Sequence, residues 1–141
     1  MNYRKLPLIL LSVTGLLVGL ASASQTSDEA EAIAAAESWL ALVDAGQYGK
    51  SWDESASPFR VAISKVDWEK ALRATRAPLG GLSSRSVKGS EYTTSLPGAP
   101  DGEYVVIQFQ TSFAKKATAV ETVTPMKDED GTWRVSGYYV K

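Results

Sequence analysis

The chain has neither histidine nor cysteine anywhere in its 141 residues. Those two absences exclude Ser-His-Asp and Cys-His catalysis, zinc sites built on either ligand, and haem or iron–sulfur ligation through them. Disulfides are excluded as well, so the hydrophobic core has to supply the stability alone. No Gly-rich phosphate loop is present. Gly80-Gly81 lacks both the spacing and the Lys-Ser/Thr ending that a P-loop requires. No cofactor is expected. Ser112-Phe113-Ala114-Lys115 has the Ser-x-x-Lys spacing of penicillin-recognising enzymes, but it straddles a strand end and a turn, whereas those enzymes need one helical turn. Asp128, Asp130 and Gly131 stand like the start of a calcium loop whose closing glutamate is missing, and read as an acidic hairpin turn.

Charge is nearly balanced, with 15 basic and 16 acidic residues. The first 23 residues carry Arg4 and Lys5, then a mostly apolar run from Leu6 to Leu20, then Ala21-Ser22-Ala23. A basic head, an apolar stretch too short to span a bilayer comfortably and a small-x-small ending are the parts of a secretory signal peptide, with cleavage predicted after Ala23. An uncleaved leader would be the only membrane contact. Taking Arg4 and Lys5 from the 15 basic residues leaves 13 against 16 acidic ones, a net charge of −3. That balance gives no electrostatic case for nucleic acid. Residues 24–141 then form a single α+β domain, periplasmic or secreted.

Glu29 to Ala45 is rich in helix formers, with Ile33, Ala36, Leu40 and Val43 at helical spacing and Trp39 widening the stripe. The spacing predicts an amphipathic helix ending at Gly46. Tyr48, Trp52 and Ala56 fall four apart on a short helix that Pro58 ends or redirects. Ser64 caps a third helix carrying Trp68, Ala71 and Leu72 on its buried side. Its basic residues Lys65, Lys70, Arg73 and Arg76, with Arg60 before them, read as a solvated face.

From Leu82 to Ser95 the pattern predicts an edge strand, and from Tyr104 to Val140 three strands joined by short turns. Val105, Ile107, Phe109, Thr111 and Phe113 share the core face. Closing both turns tightly sets Phe113 opposite Thr118 and Lys127 opposite Thr132. That register puts Val120, Thr122, Thr124 and Met126 on the core face, followed by Trp133, Val135, Gly137 and Tyr139. Pro125 should break the ladder or mark a bulge. The fold class is therefore N-terminal helices packed on an antiparallel sheet of about four strands.

On the opposite face the same register gathers Gln108, Gln110, Glu121, Arg134 and Tyr138, with Ser136 near them. A carboxylate between an amide and a phenol, with an arginine close, suits the orientation of a polar ligand or general-base chemistry. The simpler reading, and the one favoured, is an ordinary exposed sheet face with polar cross-strand pairs. Tyr104, Val106, Val123, Tyr138 and Val140 make this face half apolar, as a surface for a second copy or an envelope protein would be.

The runs Leu96-Pro97-Gly98-Ala99-Pro100-Asp101-Gly102-Glu103-Tyr104, Glu121-Thr122-Val123-Thr124-Pro125 and Gly131-Thr132-Trp133-Arg134-Val135-Ser136-Gly137-Tyr138-Tyr139 resemble a bacterial family known as domain of unknown function 4019. The resemblance extends over the chain after the leader, including Trp39 and the Tyr48 to Trp52 segment. The family brings no activity with it. Its layout is in turn similar to the cone-shaped nuclear transport factor 2-like superfamily, whose folds host enzymes and plain binding modules. That likeness implies a pocket between helices and a curved sheet, lined by Trp39, Tyr48, Trp52, Asp53 and Tyr139, with Thr111, Thr122 and Thr124 facing it. The function expected first is a noncatalytic exported module contacting a protein or small ligand. The alternative is a small isomerase or hydrolase with Asp53, Tyr48 or Glu121 as base.

Overall fold

The computed structural model describes residues 16–141, with side chains from residue 24 onward. Arg4, Lys5 and most of the apolar leader run lie outside the described residues. Among the described residues four helices, α1 (Leu16–Asp44), α2 (Tyr48–Asp53), α3 (Ser57–Ala62) and α4 (Lys65–Arg76), precede four strands. These are β1 (Leu82–Thr93), β2 (Tyr104–Phe113), β3 (Lys116–Lys127) and β4 (Trp133–Val140), in one antiparallel sheet ordered β1-β2-β3-β4. Among the described residues no helix is long and apolar enough to cross a membrane.

The core forms where the stripe of α1 meets one sheet face. Ala32, Ala36, Trp39, Leu40 and Val43 are buried against Val105, Ile107, Phe109, Val123 and Val135, with Trp68 and Leu72 of α4 closing the side. Helix α1 ends as its glycine demands: Gly46 takes φ +74°, and the N–H groups of Gly46 and Gln47 return to the carbonyls of Val43 and Leu42. Space for a methyl group exists at Gly46, so only the backbone conformation opposes one. Gly46→Ala is therefore expected to cost about 1–2 kcal/mol, read as a shift in urea midpoint with unchanged slope.

Pro58 does not end a helix. It sits in the first turn of α3, where its missing N–H costs nothing, and Ala56 before it is extended. The Asp128 carboxylate accepts from the N–H and hydroxyl of Ser57, tying the β3–β4 turn to the start of α3. Ser64 caps α4 by accepting from the N–H of Asp67, as expected. Three tryptophans fasten the helices together. The Trp39 indole donates to the Ser51 carbonyl and the Ser55 hydroxyl, Trp68 donates to the Ser51 hydroxyl, and Trp52 donates to the Ile63 carbonyl.

The strand register differs from the expected one by one residue or two in each hairpin. The first turn is made by Ala114 and Lys115, so Phe113 pairs with Lys116, and a shift between Thr111 and Phe113 then sets Phe109 opposite Glu121. In the second hairpin Lys127 pairs with Trp133, since the Asp128 N–H reaches the Thr132 carbonyl and adds one pair to the turn. The core face of β3 is accordingly Ala119, Glu121, Val123 and Pro125, with Val120, Thr124 and Met126 on the far side. A second shift, between Val123 and Pro125, leaves Ser136 and Gly137 against Thr124 alone. This bulge falls where the proline removes a ladder donor, and it turns Tyr138 toward the helices and Tyr139 outward, 51% exposed.

Candidate functional site

The register places a glutamate in the middle of the core, and the structure around it shows how that is tolerated. Glu121 is fully buried. Its Oε1 accepts from the Arg85 Nε–H at 2.7 Å and from the Thr111 hydroxyl at 2.6 Å, and its Oε2 accepts from the Tyr138 hydroxyl. Both carboxylate oxygens are thus committed to donors from β1, β2 and β4. Arg85 stands opposite Thr111 on β1 and faces inward by the same alternation. Its two terminal nitrogens then reach Asp44 at the end of α1, at 2.7 and 2.9 Å, in the bidentate geometry that guanidinium and carboxylate planes favour.

Asp44 takes a second arginine. Nη2 of Arg76, in the last turn of α4, lies 2.9 Å from Asp44 Oδ1. The Arg76 side chain is 6% exposed, and its guanidinium carbon sits 4.8 Å from the centre of the Phe113 ring. Its Nε and Nη1 have no hydrogen-bond partner among the described residues, so the aromatic face is the contact that compensates them. Two arginines and two carboxylates thus form a neutral chain from α4 through α1 and β1 to β3. Buried charge is endurable only when each charged group meets one of opposite sign, as all four do here.

The electrostatics follow from that pairing. Burial pushes the Asp44 carboxyl up, but hydrogen bonds and charge from Arg85 and Arg76 outweigh it and hold the group below its ordinary range. Arg85 is held above its ordinary value because its two carboxylate partners outweigh burial. Burial, followed by the charge and hydrogen bond of Glu121, raises the Tyr138 hydroxyl well above the ordinary tyrosine value. A raised folded-state value means stability present below the unfolded pKa of about 10 and lost as pH climbs past it. Tyr138→Phe is therefore expected to lose about 1–3 kcal/mol at neutral pH, because Glu121 loses a donor. Above about pH 10 its denaturation curve should fall less steeply than that of the parent.

Of the outward set expected from sequence, the structure brings only Glu121 and Tyr138 together, and it does so on the inner face. They meet as diagonal neighbours, since Tyr138 pairs with Val123 and Glu121 with Val140. Gln108 and Gln110 do lie on the outer face. Arg134 is also outward but remote, held by Asp130 through both terminal nitrogens and by Asp128. The outer apolar residues are Val106, Val120, Met126 and Tyr139, in place of Val123, Tyr138 and Val140.

The expected pocket set is dispersed too. Trp39 is buried and bonded within the core, and Trp52 is bonded to Ile63. Asp53 is exposed in an ion pair with Lys65, while Tyr139 points away from the helices. Tyr48 lines an open cleft of about 350 Å³ with Asp44, Arg76, Gly80 and Gly81, at the C-terminal ends of α1 and α4. Of the threonines placed on the core face, Thr111 is there and bonds Glu121. Thr122 and Thr124 belong to the outer parity.

Sequence reasoning missed Asp44, Arg76 and Arg85. Two of them carried a signal. Asp44 follows Leu40 by four, and Arg76 follows Trp68 and Leu72 at the same spacing, so both extend a buried stripe rather than a solvated face. Arg85 had none, set among Ser, Gly and Lys in a strand without clean alternation.

Comparison with curated proteins and with solved structures finds no match. Residues 35–138 match the model of a family described as Protein of unknown function (DUF4019). That span takes in the core stripe of α1 from Ala36 onward, both arginines, Glu121 and Tyr138, and covers well over half of the sequence. The chain belongs to the DUF4019 family.

Proposed function

We propose that the chain is a noncatalytic module, exported behind its leader, that works by binding a small ligand or an envelope protein. The observation that carries this reading is the enclosure of Glu121: fully buried, with each oxygen already accepting from the protein itself. A general base must keep an acceptor free within reach of a substrate proton. The alternative bases have no enclosed setting: Asp53 is an exposed carboxylate tied to Lys65, and Tyr48 has no base bonded to it among the described residues. The neutral chain from Arg76 to Glu121 serves instead to fix helices α1 and α4 over the sheet. It leaves recognition to the clefts and faces around this interior.

Export predicts a secreted form beginning at Ser24, read by mass spectrometry of the periplasmic or culture fraction. Helix α1 runs through that point, and its tertiary anchors are on the retained side, with Lys127 bonded to Asp28 and Ser90 to Glu29. Catalysis by a carboxylate is tested by ¹³C NMR titration of every aspartate and glutamate in the folded chain. The expected result is no carboxylate titrating between about pH 6 and pH 8, the range a working general base occupies. An interior carboxylate that titrates there would establish the enzyme reading instead.

A further inference from the structure

One cleft joins an apolar wall to a buried donor that has no partner among the described residues. It is half open, about 400 Å³ in volume, and lies between the start of β4 and helices α1 and α2. Ala35, Leu42 and the ring of Trp39 form its apolar wall, Lys50 and Glu54 stand on its rim, and Trp133 lines the β4 side. Trp133 is 6% exposed, and its indole N–H has no hydrogen-bond partner among the described residues. An indole nitrogen can only donate, so whatever satisfies it brings an acceptor.

The same residue offers main-chain groups. β4 is an edge strand. Asp128 and Thr132 are a hydrogen-bonded pair, and Pro125 opposite Val135 has no N–H to give. Alternation therefore turns the N–H and C=O of Trp133 and Val135 toward the free edge. The fold already uses one of them: the N–H of Ala56, in extended conformation, donates to the Val135 carbonyl at 2.8 Å. The edge of β4 thus accepts strand-like backbone at Val135, and the cleft continues that edge at Trp133. Lys50 and Glu54 make no ion pair with each other or with any other described residue.

We infer that this cleft binds an extended peptide segment of a partner protein, added along the edge of β4 at Trp133, with one large apolar side chain seated against Ala35 and Leu42. The peptide supplies the carbonyl and N–H that the Trp133 main chain lacks across the edge, and a further carbonyl accepts from the indole. Lys50 and Glu54, of opposite sign, select by the charges flanking the seated residue rather than demanding one net charge. The inference rests on the binding-module reading and names the partner class and place of contact.

The test is an NMR titration of the ¹⁵N-labelled full chain with blocked pentapeptides that differ only at the centre: leucine, alanine or aspartate between threonines. The leucine peptide is expected to shift the Trp133 main-chain and indole N–H signals together with Leu42 and Lys50, and to bind about tenfold more tightly than the alanine peptide, with the aspartate peptide weakest. Leu42→Trp, which fills the cleft, should abolish binding while the folded spectrum persists. Trp133→Phe should weaken it several-fold by removing one donor. Shifts confined to Val106 and Val120 on the outer face, or no binding by any peptide, would overturn the inference and leave the noncatalytic reading standing. Equal binding of blocked leucine amide, without movement of the Trp133 main-chain signal, would overturn it in favour of a small-molecule cleft. Failure of the noncatalytic reading itself appears separately, in the carboxylate titration.

Discussion

Glu121→Ala is expected to lower the unfolding free energy by about 3–5 kcal/mol, the cost of breaking a buried ion pair by removing one partner. The substitution leaves the hydroxyls of Thr111 and Tyr138 without their acceptor and Arg85 with Asp44 alone. A small domain is stable by only about 5–15 kcal/mol, so a loss of that size moves the urea midpoint far more than any surface change. Glu121→Gln keeps one acceptor oxygen and the side-chain volume, and should fall between parent and alanine variant. An active-site carboxylate held under strain would behave oppositely, its removal leaving stability unchanged or raising it.

Arg85→Ala carries the second large effect, about 3–5 kcal/mol at neutral pH, and it reverses a slope. In the parent, Asp44 is held below its ordinary range, so its contribution is fully present above the unfolded value of about 3.9 and is lost as pH falls through the lower folded value. The parent should therefore weaken on acidification below about pH 4. Removing Arg85 leaves two carboxylates facing one arginine in the interior, and protonation now relieves their repulsion. Stability of Arg85→Ala should rise as pH falls from neutrality toward about pH 5, where the parent is flat. Arg85→Met combined with Glu121→Leu should recover much of the loss, because well-packed apolar replacements remove the desolvation penalty along with the pair. Chemical denaturation across pH for the parent, Arg85→Ala and the double variant checks all of this at once.

What could be read from the residues and what could not divides along physical lines. Helices were legible because their stripes are unambiguous: Ala36, Leu40 and Val43 admit one buried face, Gly46 one end, and Ser64 one cap. The α+β order and the four strands followed from the same patterns. The register of β3 was not legible, because its two parities are chemically close. One reads Ala119, Glu121, Val123 and Pro125, the other Val120, Thr122, Thr124 and Met126. Hydrophobicity favours the second, and the charge on Glu121 argues against the first. The first is nevertheless buried, because Arg85 and Asp44 from distant segments neutralise that charge. No local pattern records a partner 36 residues away on another strand. Glu121 and Tyr138 were placed together in the expected site although the register there is off by one residue toward β2 and by two toward β4, so the pair was found while its face was not. Pro125 was the legible warning: the bulge beside it reverses the faces of Tyr138 and Tyr139.

Whether the interior is a closed framework or an open site is read most directly from the exchange of the Arg85 Nε–H proton with water, followed by ¹H–¹⁵N NMR at neutral pH. The proton is bonded to a fully buried carboxylate. It should exchange only when the domain opens, at rates that track global unfolding and accelerate with urea in step with the core amides of Ile107 and Val123. Exchange as fast as that of free arginine in the folded protein would mean that water, and with it a substrate, reaches Glu121, and would contradict a noncatalytic interior.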